Sequence, residues 1–121
     1  MRGVWRAGSV CTALLLFALA CGGEQRAADV ILVGHVASMT GDTATFGRSA
    51  DQGMRLAIEE INAAGGVLGR PLEIVSRDDN GTPGDAVRVA EELVSREKVA
   101  LLMGTFPSNV GLAVADFAKQ R

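Results

Sequence analysis

The feature that most limits what this chain can fold into is the stretch from Val30 to Phe46. Val30-Ile31-Leu32-Val33-Gly34-His35-Val36 is almost continuously apolar, and it empties into a polar, glycine-bearing segment, Ala37 to Phe46. A run of about seven such residues closed by turn formers is the pattern of a strand covered on both faces, as inner strands of parallel sheets are. Downstream, helical and extended patterns alternate, each returning the chain toward that first strand. In sheets wound this way ligands sit outside the carboxyl ends of the strands, so a ligand is expected at the segment after Val36.

After that segment, Ala50, Met54, Ala57, Ile58 and Ile61 recur at three- and four-residue spacing, which predicts a helix with one apolar face. Arg48, Asp51, Arg55, Glu59 and Glu60 are assigned to its solvated face. Asn62-Ala63-Ala64-Gly65-Gly66 ends it, because glycine takes the left-handed cap conformation without steric cost. Gly69-Arg70-Pro71 makes a second turn and leads into a partly alternating strand, Leu72 to Arg77, which reads as edge-like. The turn formers Asp78-Asp79-Asn80-Gly81 follow.

Thr82 is placed to cap the next helix, with Pro83 at its first position and Asp85 reaching back. Ala86, Ala90 and Leu93 would face the sheet, with Val87 and Val94 beside them and an end near Glu97. Val99 to Met103 is uniformly apolar and predicts a central third strand, followed by Gly104 to Asn109 and a last helix carrying Val110, Ala113, Val114 and Phe117. The order is therefore β-α-β-α-β-α, an α/β chain whose crossovers are right-handed.

What precedes the first strand reads as processing signal. Arg2 and Arg6 form a basic start, and Val10 to Ala20 form an apolar core too short to span a bilayer about 30 Å thick. Residues 1–20 are read as a signal peptide. Phe17-Ala18-Leu19-Ala20-Cys21 resembles a bacterial lipobox, which would make Cys21 the lipidated first residue and residues 21–28 a flexible tether. An ordinary cleaved signal with an incidental cysteine is the alternative. Of the two cysteines, Cys11 falls in the signal, so neither is left for a disulfide or a thiolate metal site.

Removing Arg2 and Arg6 from 12 basic residues leaves 10 against 14 acidic ones. That balance and the scattered arginines argue against nucleic-acid binding. Gly34, Gly41 and Gly47 do not form a dinucleotide-binding turn, and no phosphate loop occurs, so no cofactor is expected. The third strand could lie beside the second or cross to the free side of the first. The second arrangement, order 2-1-3, is preferred because it brings Ala37–Phe46 and Gly104–Ser108 face to face at a topological switch point.

Met39-Thr40-Gly41, Phe46-Gly47 and above all the string from Ala57 through Asn62-Ala63-Ala64-Gly65-Gly66-Val67-Leu68-Gly69-Arg70-Pro71-Leu72 resemble the leucine/isoleucine/valine-binding protein family. Asp78-Asp79 and Gly104 to Ser108 continue the likeness. The resemblance implies a two-lobed type I periplasmic-binding-protein fold, with residues 29–121 a partial amino-terminal lobe of a longer chain. It implies an exported, non-enzymatic protein that captures an amino acid, amide or urea for an ABC permease. Ser108 would hold the ligand carboxylate, with Phe106 and Asn109 beside it through main-chain groups. Phe46, in the loop after strand one, would border the ligand side chain, and Thr105 is a weaker candidate.

A serine at a helix entry also suits an anion on physical grounds, through outward amides and the helix dipole, although capping its own helix is the commoner use. His35, the one histidine, reads as a buried, hydrogen-bonded ring rather than a metal ligand. Asp78 and Asp79 read as satisfying turn amides, and the pairs Glu59-Glu60 and Glu91-Glu92 as solvated. A ligand-sensing module of the same fold and a Rossmann-like nucleotide-using enzyme are the competing readings.

Overall fold

The computed structural model describes residues 29–121; the expected signal peptide, Cys21 and tether lie outside the described residues. The elements are β1 (Ile31–Ala37), α1 (Ala44–Ala63), β2 (Leu72–Asp78), α2 (Pro83–Ser95), β3 (Leu101–Gly104) and α3 (Ser108–Ala118). The three strands form one parallel sheet in the order β2-β1-β3. Ala37 is level with Asp78, and Val36 with Gly104, so all three strands end at the same pole. Of the two arrangements open to the sequence, the 2-1-3 order is the one adopted.

The core lies between the sheet and the layer made by α2 and α3. Val36, Ala86, Val89, Ala90, Leu93, Val110 and Val114 are buried there, with Val75, Val99, Leu102 and Phe117 packed around them. Val89 completes the α2 stripe beside Ala86, Ala90 and Leu93. Each large aliphatic side chain buried this way contributes about 1.5–3 kcal/mol. Thr82 caps α2 as expected, its hydroxyl accepting the Asp85 amide at 3.3 Å and donating to the Asp85 carboxylate at 3.1 Å.

Helix α1 covers the opposite face. Gly47 lets its first turn close on β1, since a Cβ there would overlap the Ser38 carbonyl. At its other end the Gly65 and Gly66 amides donate to the Asn62 and Ile61 carbonyls. The Asn62 side chain then clasps the start of β2: it donates to the Leu72 carbonyl and accepts the Leu72 amide, both at 2.8 Å. This clasp is a physical reason for the asparagine in the most specific string of the sequence.

Two expectations are corrected. Strand β3 starts at Leu101 and not at Val99, is four residues long and, among the described strands, pairs with β1. Its apolar character comes from its two faces, not from flanking strands. Leu102 packs into the α2 core, while Leu101 and Met103 line an open apolar groove of about 280 Å³ with Met54, Ile58 and Ile61 of α1. Secondly, Glu92 is not merely solvated, because Arg77 donates to it at 2.9 Å and also to Glu97 at 2.7 Å.

Candidate functional site

At the carboxyl pole the loops after β1 and β2 are latched together. The Ser38 hydroxyl donates to Asp79 at 2.8 Å, and Asp78 accepts the Met39 amide at 2.9 Å and the Thr40 hydroxyl at 2.6 Å. Both aspartates also take turn amides, Asp78 from Asn80 and Asp79 from Gly81, as expected of their positions. Burial pushes the Asp78 carboxyl up, but hydrogen bonds from Thr40, Asn80 and Met39 outweigh it and hold it below its ordinary value. The latch joins residues about forty apart, so no local sequence pattern announces it.

The loop after β3 is shaped by two left-handed residues, Gly104 at φ +110° and Thr105 at φ +66°. Only glycine fits at 104, where a Cβ would overlap the Val36 carbonyl and approach the His35 ring to 2.6 Å. A β-branched residue in this region is strained, and such strain clusters at functional sites. Thr105 is held there by its amide, which donates to the Val36 carbonyl at 2.7 Å.

The bend carries Phe106 against Phe46. Their rings stack with centroids 4.2 Å apart and planes 5° from parallel, yet each remains about half exposed, at 54% for Phe46 and 52% for Phe106. Phe46 was expected in the loop after strand one. It instead lies in the first turn of α1, because the turn closed by the Ala44 amide on the Gly41 carbonyl starts the helix early.

Beside the rings, α3 begins without a side-chain cap. Pro107 occupies the cap position, and Ser108 is the first helical residue, so the capping alternative for Ser108 does not apply. The Val110 and Gly111 amides both turn back to the Pro107 carbonyl at 3.0 Å. The Ser108 and Asn109 amides and the Ser108 hydroxyl have no hydrogen-bond partner among the described residues, and both residues are exposed. Thr105 is half-buried, its hydroxyl filling the space that Gly111 leaves by lacking a side chain. Phe46, Thr105, Phe106, Ser108 and Asn109 thus share one pole, with direct contact between the two phenylalanines.

Under this pole His35 is buried as expected, its Nδ1 3.1 Å from the Asp51 carboxylate. Ser76 donates to the same carboxylate, as does Arg55 at 2.7 Å. Asp51 was expected on the solvated face of α1 but is turned to the sheet. The signal was present: Asp51, Met54, Ile58 and Ile61 follow a three-four-three spacing, the line of one helix face. Burial pushes the Asp51 carboxyl up, but hydrogen bonds from Ser76, Arg55 and His35 outweigh it and leave it below its ordinary value. The serine bonds to the aspartate and not to the imidazole, so this is a structural tie rather than a nucleophile with its base. Among the described residues no group of three or more His, Cys, Asp or Glu side chains is placed to hold a metal ion.

The order 2-1-3, with two loops meeting where the crossovers part, makes this a doubly wound α/β layer with its switch point between β1 and β3. Residues 30–121 match the periplasmic binding protein family, and the chain belongs to that family. It is 40% identical over 89 residues to an amino acid binding protein of Pseudomonas aeruginosa, covering 74% of this chain and 24% of that one. It is 36% identical over 107 residues to Leu/Ile/Val-binding protein homolog 7 of Brucella suis, covering 88% of this chain and 26% of the relative. The branched-chain amino acid transporter substrate binding protein LivJ of Streptococcus pneumoniae, solved with isoleucine, superposes with TM-score 0.72 at 32% identity, over 76% of this chain and 26% of LivJ. A solute binding protein of an ABC transporter from Rhodopseudomonas palustris, solved with 3,4-dihydroxybenzoic acid, gives 0.69 at 31% identity over 75% and 24%. The chain spans about a quarter of the length of these relatives.

Proposed function

We propose that this chain is the opening part of an exported solute-binding protein that captures a branched-chain amino acid or a related small polar solute for an ABC permease. The observation that carries the reading is the half-exposed Phe46–Phe106 stack set beside the uncapped start of α3 at the switch point. An α-carboxylate placed there would accept from the Ser108 hydroxyl and from the free Ser108 and Asn109 amides, at the positive end of the helix dipole. The Phe106 carbonyl would take the ammonium group, and the Phe46 ring would cover the apolar side chain. Thr105 positions this loop from beneath.

The same proposal makes the protein a binder and not an enzyme, needing no cofactor. It further assigns residues 1–20 to a signal peptide and Cys21 to a lipid anchor that holds the exported protein in the periplasm or on the outer face of the cell membrane, with residues 21–28 as tether. Supporting this, the family and the relatives solved with small ligands are solute-binding proteins. A thermal-shift screen of amino acids, amides, urea and short polyols against the full-length protein tests it. Leucine, isoleucine or valine should raise the melting temperature, whereas no response to any of these solutes would overturn the assignment.

A further inference from the structure

At the pole opposite the site, Val67 to Arg70 form a tight two-residue hairpin: the Val67 amide donates to the Arg70 carbonyl at 2.8 Å and the Arg70 amide returns to Val67 at 3.0 Å. Its tip residues are Leu68 at φ +53° and Gly69 at φ +75°. Two successive positive φ values define a type I′ turn, whose first central position favours Asn, Asp or Gly. Leucine there is strained, and its side chain is 97% exposed. A large apolar side chain held out in water by a costly backbone conformation is a local rule broken with no contact among the described residues to offset it.

The chain's own layout indicates what the tip faces. Arg70 donates to the Asp29 carbonyl at 2.8 Å, and the Ile31 amide donates to the Pro71 carbonyl at 2.8 Å, so the hairpin is fastened to the beginning of the described chain. Seven residues, 22–28, separate Asp29 from Cys21. Fully extended, that connection reaches at most about 28 Å. A lipid on Cys21 therefore joins the described chain at this pole, a strand's length nearer the anchor than the Phe46–Phe106 pole.

We infer that the Leu68 tip docks into the surface of the membrane that anchors the chain, with Val30 and Val67, each partly exposed, at the margin of the contact. The inference rests on the lipidation of Cys21 proposed above. Charges around the pole are mixed, Arg70 and Lys98 against Asp29, Glu59 and Glu60, so the contact is apolar rather than electrostatic and holds at high salt. Because the strands run away from this pole, docking turns the loops after β1 and β3 outward from the lipid, toward incoming solute. One leucine makes a reversible contact, which the protein can leave to meet a permease.

The test places tryptophan at the tip, Leu68→Trp, in the full-length lipidated protein on phosphatidylethanolamine and phosphatidylglycerol vesicles, with acyl chains brominated near the headgroups. Its emission should fall by about half on brominated vesicles, at low and at high salt. Tryptophan placed at the exposed Leu112 of α3 by Leu112→Trp should be unaffected. Unquenched Leu68→Trp emission, with mass spectrometry showing the acyl chains on Cys21, overturns the docking and leaves the anchor standing. A mature chain without acyl chains on Cys21 overturns both.

Discussion

Phe46 and Phe106 come from opposite sides of the switch point and meet as a stacked pair, 4.2 Å between centroids. One ring is carried by the first turn of α1 and the other by the strained loop after β3, so their contact reports whether the two loops are correctly set against each other. A double-mutant cycle with Phe46→Ala and Phe106→Ala, read by urea unfolding, should give a coupling of about 0.5–1.5 kcal/mol. Strictly additive losses would mean that neither ring depends on the other.

Ser108 caps nothing, which separates its two candidate roles. Ser108→Ala in the full-length protein should weaken amino-acid binding by about 1.5–3 kcal/mol, roughly 10- to 150-fold in Kd, while changing stability by less than about 0.5 kcal/mol. Calorimetry showing unchanged affinity removes Ser108 from the site.

The Asn62 clasp joins the end of α1 to the start of β2 through both polar groups of Leu72. Asn62→Ala should cost about 2–4 kcal/mol in chemical denaturation, because a main-chain donor and acceptor lose their partners together. Asn62→Asp keeps the acceptor but turns an oxygen toward the Leu72 carbonyl, and should destabilise as well. A loss under about 0.5 kcal/mol in both variants would show that water replaces the clasp.

Acid should loosen the tie between α1 and the sheet. Asp51 has an ordinary value of 3.8 and a lower one in the fold. A carboxyl depressed on folding contributes stability that is present above 3.8 and is lost as the pH falls through the lower folded value. Ser76→Ala removes one of the hydrogen bonds that depress it. The variant should be less stable than the parent by about 1–2 kcal/mol near neutral pH, with the gap narrowing in strong acid. Urea titrations giving the same gap at both ends of that range would exclude Asp51 as the linked group.

Thr105 holds a conformation that glycine adopts freely. Thr105→Gly should stabilise the fold by about 1 kcal/mol by releasing that strain. Gly111→Ala alone should gain little, since its Cβ would stand 3.0 Å from the Thr105 hydroxyl oxygen. In the Thr105→Gly background the same change should recover the helix propensity of alanine, about 0.8–1 kcal/mol. Equal effects of Gly111→Ala in both backgrounds would contradict the packing of Thr105 on α3.

By itself the sequence determined the element order, the Thr82 cap, the closure of α1 after Asn62 and the inner position of β1, because each rests on neighbours within a few residues: hydrophobic period, turn chemistry and caps. It also carried the family likeness in the string ending at Leu72. Tertiary structure alone decided that Phe46 rides on α1 and stacks on Phe106, and which partners, His35 and Ser76, meet Asp51 on the apolar face where its spacing already put it; it also adopted the order, preferred from the sequence, in which β3 pairs on the free side of β1. It likewise joined Ser38 and Thr40 to Asp79 and Asp78 across about forty residues. Those choices depend on side chains brought together by strand register and crossover, and their energies exist only once the chain has closed the loops between them.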